Sequence, residues 1–503
     1  MKKLSLTLLL FAIVKLSMGQ LQLNGTIKDA KKTGVVEFGY PFDDSYPATY
    51  RQDKPLRTKP GAIGTFNFSV NSNQPQFMVL RNNGVEQYLL LLPGKPLAVT
   101  VINNNIVAGN IENKWLLNSS LNDSTFAINR LQDHKKWPAD SLVNIMLPKL
   151  DRDLQAELKN IKSLNISAKT KDLLTTETKY FYANKLFKFS KSLMQKISRQ
   201  ASWKVLSYAV ASRNKLPLAA ELQNNPAANT YLHYYTVERL MELGLQMRED
   251  RSKAKVIVER ETGLTPDSLA KLSNEFGEDY IVAFIAKKYL PGYAYEKLLT
   301  NMVLAYSANK DLKFAKRLNT DLTASFPNSA LLKTTKQALS QLEVEAAEAE
   351  KNKDIVFVDN TSQITNIAQL VAPYKGKIVY LDFWGTWCGP CMQEIIDHSA
   401  PLKERFAGKD VVFLYLEMDY YNNNDEVKWK DFAKLHNMTG YHIRMNDKQI
   451  ENIWVDLLHT QNVPRNFPTY VIFDRMGNPV NKHAKNPSEG EALYKDLETA
   501  LSK

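Results

Sequence analysis

The hydrophobic pattern changes character twice along the chain. Between residues 20 and 112, apolar and β-branched positions come in short runs: Gly34–Phe38, Thr65–Val70, Gln76–Leu80, Gln87–Leu92 and Leu97–Ile102. Turn-forming clusters separate them, at Lys59-Pro-Gly61, Asn82-Asn-Gly84, Pro93-Gly94 and Asn103-Asn-Asn105. Runs of that length and spacing predict the strands of a small all-β, sandwich-like domain. From residue 113 to 350 proline becomes sparse and apolar residues recur at helical intervals, as in Leu173, Tyr180, Phe181, Leu186 and Phe187. Helices are predicted over Tyr231–Arg248, Pro266–Asn274, Tyr280–Tyr289, Tyr295–Tyr306 and Leu312–Ser325. Phe326-Pro-Asn328 breaks the pattern before a last helix over Leu331–Glu350, whose charged, Ala-rich end leads into a new region. No fixed period supports a repeat array.

Residues 354–503 alternate between the two patterns. Ile378–Phe383, Val411–Leu416 and Thr469–Phe473 are continuous apolar runs of strand length. Helical stretches fall between and after them, at Met392–Phe406, Glu426–His436, Ile450–Leu458 and Glu489–Leu501. Strands alternating with helices predict an α/β sheet. The expected architecture is therefore multidomain: a β-rich domain over 20–112, an all-α domain over 113–350 and an α/β domain over 354–503.

Charge changes this picture little. The chain carries a formal +12, but residues 354–503 hold 16 Lys/Arg against 20 Asp/Glu, and the excess of positive charge lies in 113–353. A basic, helical middle reads as a solvated Lys-rich surface, and no nucleic-acid motif accompanies it. The N-terminus changes more. Lys2 and Lys3 precede an apolar run from Leu4 to Val14, and Ser17 and Gly19 place small residues before Gln20. Residues 1–19 read as a cleaved export signal, too short to span a bilayer and without a following cysteine for lipid attachment. A soluble or peripheral protein of the periplasm or cell envelope is expected.

Two cysteines in 503 residues exclude a disulfide-stapled scaffold and a four-cysteine metal site. Both lie in one segment, Leu381-Asp-Phe-Trp-Gly-Thr-Trp-Cys-Gly-Pro-Cys-Met-Gln-Glu394, where a buried strand runs into Cys-x-x-Cys and a helix follows. The first cysteine, Cys388, then falls at a helix N-terminus, where unpaired amides and the helix dipole favour a thiolate. The thiolate is the attacking species in disulfide exchange. Cys391 is close enough to attack the resulting mixed disulfide. Pro390 suits the first helical turn, which has no intrahelical amide bond to lose. His398, His436, His442 and His459 show no catalytic spacing, and no metal site is expected.

Trp-Cys-Gly-Pro-Cys after a Phe-Trp strand end resembles thioredoxin. The Gly-Thr insert in Phe-Trp-Gly-Thr-Trp-Cys, with the export signal, resembles the TlpA/ResA type of thiol–disulfide oxidoreductase. Asn466-Phe-Pro-Thr-Tyr470, ahead of an apolar strand and Asp474-Arg-Met-Gly477, resembles the second motif of that family. The resemblance covers about residues 354–503; residues 20–112 are more loosely similar to the small β domain that precedes such reductases in Bacteroidetes-type proteins.

The resemblance implies the following roles. Cys388 is the nucleophile and Cys391 the resolving thiol of a redox disulfide. Asp382, at the position of thioredoxin's buried acid, and Glu394, where TlpA/ResA proteins carry an acid, are alternative proton acceptors. Trp387, Gly389 and Pro390 shape the turn, and a cis Phe467–Pro468 bond pairs with an extended substrate segment. The 77 residues from Cys391 to Pro468 leave room for an inserted helix and strand, with loops at Asn422–Asp425 and Asn437–Asp447. Disulfide-containing proteins are the implied substrates, a membrane thiol donor the reductant, and no cofactor is implied. Gly-Pro between the cysteines favours reduction. An adaptor that uses its β and helical regions to hold one partner, and a disulfide oxidase or isomerase, remain alternatives.

Overall fold

Alternation along the chain explains the first layer. The computed structural model describes residues 20–28, 34–39, 56–82, 85–102, 105–122, 144, 147–196, 215–359, 361–419, 426–458 and 466–503. The expected export signal at 1–19, parts of the expected turns at 83–84 and 103–104, the expected loop at 422–425 and His459 lie outside them. Among the described residues, eight strands form the N-terminal region: β1 (Gln20–Ile27), β2 (Val36–Gly39), β3 (Leu56–Thr58), β4 (Thr65–Asn71), β5 (Gln76–Asn82), β6 (Val85–Leu91), β7 (Leu97–Ile102) and β8 (Asn105–Ala108). They make two four-stranded sheets, ordered β4-β1-β7-β8 and β3-β2-β5-β6. Leu21, Leu23, Phe38, Phe66, Phe68, Leu80, Leu89 and Val99 share one core between the sheets. The expected sandwich is present, with three strands, β1, β3 and β8, that the pattern does not predict. β1 precedes the first predicted strand, yet lies inside its sheet, antiparallel to β4 and parallel to β7.

Ten helices follow among the described residues: α1 (Ile111–Leu117), α2 (Leu147–Ser163), α3 (Ala168–Lys196), α4 (Pro226–Glu249), α5 (Ala254–Thr262), α6 (Pro266–Phe276), α7 (Glu278–Tyr289), α8 (Gly292–Ala308), α9 (Leu312–Ser325) and α10 (Leu332–Ala349). The helices α1, α2 and α5 are not predicted from the pattern; α1 and α5 are short, whereas α2 carries a full apolar stripe, Leu147, Leu150, Leu154, Leu158 and Ile161, and is missed despite it. The chain divides into two compact units, Met1–Ala308 with Lys313–Lys336, and Asn309–Leu312 with Gln337–Lys503. No helix among the described residues is long and apolar enough to cross a membrane.

Within the first unit, strands and helices are tied by buried polar groups. The Asn113 side chain accepts from Leu90 N and donates to Leu90 O, both at 2.7 Å. Glu177 on α3 accepts from Tyr88 Oη at 2.6 Å and from the backbone of Ala227, at the start of α4, at 3.0 Å. A carboxylate at a helix N-terminus is favoured by the dipole. Burial nevertheless pushes Glu177 up to about 7, against the hydrogen bonds that lower it. A folded-state pKa above the unfolded one means that the contribution of Glu177 to stability is complete below the ordinary carboxylate range and is lost as pH rises through about 7. Glu177→Gln is expected to remove this loss, about 3 kcal/mol between pH 4 and pH 8, leaving a flatter stability profile. Hydrogen exchange at the amides of α3 and α4 across that range measures it; parallel profiles in the two proteins would refute it.

The second unit is built on a six-stranded sheet. Its elements are β9 (Ile355–Phe357), α11 (Ile367–Val371), β10 (Ile378–Trp384), α12 (Gly389–Phe406), β11 (Val411–Asp419), α13 (Glu426–Leu435), β12 (Gly440–Asn446), α14 (Asp447–Leu458), β13 (Thr469–Phe473), β14 (Pro479–Asn481) and α15 (Glu491–Leu501). Strand order is β14-β13-β10-β11-β12-β9. β10, β11, β12 and β9 pair in parallel, and β13 and β14 are antiparallel. Every side chain of β10 is buried, as expected of a strand covered on both faces. Val379, Leu381 and Phe383 face a core shared with α11 and α14. Ile378 and Tyr380 face Leu402 and Phe406 of α12 and Leu493 and Leu497 of α15.

One expectation fails here. Asn437–Asp447 is predicted as a loop, but Gly440–Asn446 is a strand inside the sheet. Its polar residues have tertiary partners: His442 stacks on Tyr415 with ring centroids 4.8 Å apart, and Arg444 pairs with the buried Glu417 at 3.1 Å. Gly440 starts the strand at φ 133°, a conformation that disfavours other residues. A Cβ there would lie 2.4 Å from the Phe413 carbonyl oxygen.

Candidate active site

Strand β10 carries the chain to the two cysteines, and α12 begins between them. Cys388 is the N-cap of α12, and its sulfur accepts from the backbone N–H of Cys391 at 3.2 Å. Pro390 occupies the first turn. Cys388 and Cys391 are joined in a disulfide. Cys391 is wholly buried and Cys388 nearly so, in a cluster with Trp384, Ile395, Tyr415 and Trp429. Cys388 reaches the surface at a groove lined by Trp387, Cys388, Gly389, Pro390, Met418, Asn466 and Phe467. The Phe467–Pro468 bond is cis. Trp387 packs edge-on to Phe467 at 5.2 Å, and its Nε1 donates to the Met418 carbonyl at 2.9 Å.

The two acids occupy different environments. Along β10 side chains alternate, so Asp382 shares the face of Tyr380 and Trp384, the face covered by α12. It is 3% exposed, and its Oδ1 has no hydrogen-bond partner among the described residues. Register places it opposite Tyr415 on β11 and Tyr470 on β13. Burial above all, then the nearby charge of Glu394, holds the Asp382 carboxyl well above the usual range; Lys403 opposes both. Lys403 itself is pulled down by burial to about 7, against the attraction of Asp382. Its Nζ lies 5.1 Å from the Tyr415 ring centre. Glu394 is half-buried, and its two oxygens accept from Ser488 N at 2.9 Å and Ser488 Oγ at 2.7 Å.

Residues 376–479 match a family model described as thioredoxin-like. The C-terminal domain is thioredoxin-like. A thioredoxin from Coprinus comatus is 26% identical over 96 residues, 19% of this chain and 77% of that protein. The thiol–disulfide oxidoreductase ResA of Bacillus cereus is 36% identical over 64 residues, 13% of this chain and 34% of ResA. The chain thus spans about a third of the length of the ResA relatives it matches. The crystal structure of the thioredoxin domain of a thiol–disulfide oxidoreductase from Bacteroides vulgatus is similar at 20% identity and a TM-score of 0.22, over 26% of this chain and 84% of that one.

The thioredoxin-like domain thus brings Cys388, Cys391, Trp387, Gly389, Pro390 and Phe467 together at one groove or directly behind it. Pro468 follows Phe467 through the cis bond. Asp382 lies on the sheet face beneath α12, and Glu394 is bound to the turn at Ser488. Lys403, Tyr415 and His442 surround or extend the buried polar row beside Asp382 without being singled out by sequence. His442 is fully buried, and burial lowers it to about 4. Tyr415 lies inside a predicted apolar run, Lys403 in a predicted helix and His442 in a predicted loop, so no common sequence signal marks them. Among the described residues no cluster of His, Cys, Asp and Glu could hold a metal ion.

Proposed function

We propose that the thioredoxin-like domain is a thiol–disulfide oxidoreductase that reduces protein disulfides. The observation that carries this reading is the asymmetry of the pair: Cys388 caps α12 and opens on a groove, while Cys391 is sealed behind it on the α12 side of the sheet, the face that also carries the buried Asp382. In the reduced domain the Cys388 thiolate attacks one sulfur of a substrate disulfide. A mixed disulfide forms and the first substrate thiolate leaves. Cys391 gives up its proton and attacks the Cys388 sulfur, releasing the second substrate thiolate. Two electrons pass to the substrate and the Cys388–Cys391 disulfide is restored. Asp382 is the proton acceptor in this scheme, because its carboxyl is buried with an oxygen unpartnered, whereas Glu394 is held by Ser488.

An external thiol donor then reduces the pair, since the chain has no other cysteine. With residues 1–19 read as an export signal, the setting is the cell envelope and the donor a membrane protein. Purified protein is expected to reduce insulin disulfides with dithiothreitol, and Cys388→Ser to abolish the reaction. Equal turnover by the variant, followed as insulin precipitation, would reject the assignment.

A further inference from the structure

The hairpin of α2 and α3 ends in a tip of one charge sign. The fourteen residues 158–171 hold four lysines, Lys159, Lys162, Lys169 and Lys171, and no acidic residue. Lys159 and Lys162 lie three apart at the end of α2, so they share a helix face and repel. Lys169 and Lys171 stand at the start of α3, where the helix dipole disfavours a cation, and no acidic residue in that first turn offsets it. Lys171 is tied: its Nζ donates to the Lys162 carbonyl at 2.7 Å, across the two helix ends. The other three are exposed and, among the described residues, in no ion pair. Elsewhere in the same unit exposed cations are matched, Lys253 by Asp250, Lys288 by Glu261 and Arg317 by Asp321. The tip is also anchored. Leu164 and Ile166, in its connection, pack on the cluster that holds Ile161, Leu174 and Leu90 of β6.

We propose that the α2–α3 tip is a docking surface for anionic lipid headgroups, holding the protein against a membrane through Lys159, Lys162 and Lys169. Two helices packed side by side have axes about 8–10 Å apart. Lysines spread over both helix ends therefore meet a plane of many anionic groups better than one small anion. No aromatic residue lies between 147 and 171 to stack on a nucleic-acid base. With lipid phosphates facing the tip, the repulsion within α2 and at the start of α3 is offset by an opposite charge that the unit itself does not supply. The inference goes beyond the disulfide chemistry and does not depend on it.

The test uses the full chain and sedimented vesicles, either pure phosphatidylcholine or phosphatidylcholine mixed with phosphatidylglycerol. Wild-type protein is expected to bind the mixed vesicles and not the neutral ones, and to bind less as added salt screens the attraction. Near an anionic surface each lysine contributes about fivefold, so Lys159→Gln/Lys162→Gln/Lys169→Gln is expected to lower the partition coefficient by about 10²-fold. That variant keeps the bond from Lys171 to the Lys162 carbonyl, and thermal melting followed by circular dichroism reports whether it folds. If it does not, the three single substitutions, each expected to cost about fivefold, carry the same test. Lys271→Gln/Lys287→Gln/Lys333→Gln removes the same charge from three exposed lysines elsewhere in the unit and is expected to bind within about twofold of wild type. Wild type that ignores the mixed vesicles, an equal loss in the two triple variants, or full binding by the folded tip variants overturns the inference. Wild type that ignores both vesicles but binds polyglutamate through the same lysines also overturns it, and assigns the tip to an acidic protein. Insulin turnover tests the reductase reading separately, and none of these outcomes bears on it.

Discussion

Asp382→Asn is expected to slow reduction of a protein disulfide by about 10²- to 10⁴-fold, the usual worth of a positioned base. The same substitution is expected to make the thioredoxin-like domain more stable at neutral and alkaline pH. Both effects have one cause. Asp382 is enclosed on the α12 side of the sheet, and burial holds its carboxyl well above the usual range. Tyr380 on its own strand, Tyr415 on β11, Tyr470 on β13, and Glu394 and Lys403 on α12 are the titratable groups that feel or set this charge. A base whose pKa is raised toward working pH takes a thiol proton more readily than an ordinary carboxylate.

The stability sign follows from linkage. The folded form binds its proton more tightly than the unfolded form does. The contribution of Asp382 to stability is therefore complete below the ordinary carboxylate range and is lost as pH rises through the raised folded value. Asn carries no such titration. Hydrogen exchange at the β10 and β11 amides of the oxidised protein should fall in protection with rising pH for wild type and hold for Asp382→Asn. The pH–rate profile should lose its acid limb in the same variant. Glu394→Gln should keep that limb, since Ser488 binds both carboxylate oxygens. If Glu394→Gln removes the limb and Asp382→Asn does not, the roles are exchanged.

Cys391→Ala is expected to turn a passing mixed disulfide into a stable one. Cys388 opens on the groove and Cys391 has no exposed surface, so an incoming disulfide meets Cys388. Without Cys391 nothing inside the domain releases the adduct. With an aromatic disulfide reagent, the reduced wild type should liberate about two equivalents of thiolate, and Cys391→Ala about one, keeping the other half bound. Cys388→Ala should bind far more slowly, because its remaining thiol is buried. Release of two equivalents by Cys391→Ala would exclude it as the resolving thiol. In an envelope extract, trapping many proteins favours a general reductase, and one dominant covalent partner favours an adaptor that uses residues 20–350 to hold it.

Much of the thioredoxin-like domain is legible in the sequence, because strands covered on both faces are continuous apolar runs. β10, β11 and β13 stand out for that reason. β12 does not. Its His442 and Arg444 interrupt the pattern, and they are accommodated by tertiary partners such as Tyr415 and Glu417 of the neighbouring strand. β1 follows the same logic in the first unit, where Gln20–Ile27 alternates cleanly but is confirmed as a strand only by its pairing with β4 and β7.

The sequence by itself determined the candidate redox pair: two cysteines with two residues between them, set between an apolar strand and a helix start. That spacing is local, and local geometry places both sulfurs at a helix N-terminus. Only the tertiary structure separated the two acids. Asp382 and Glu394 lie six residues before and three after the cysteines, and nothing local distinguishes them. The partner of Glu394 is Ser488, 94 residues further along the chain. The burial of Asp382 comes from strands on both sides and a helix above. Solvent exclusion and long-range pairing depend on the whole packed domain, and these leave one carboxyl buried with an unpartnered oxygen and the other bound to a serine.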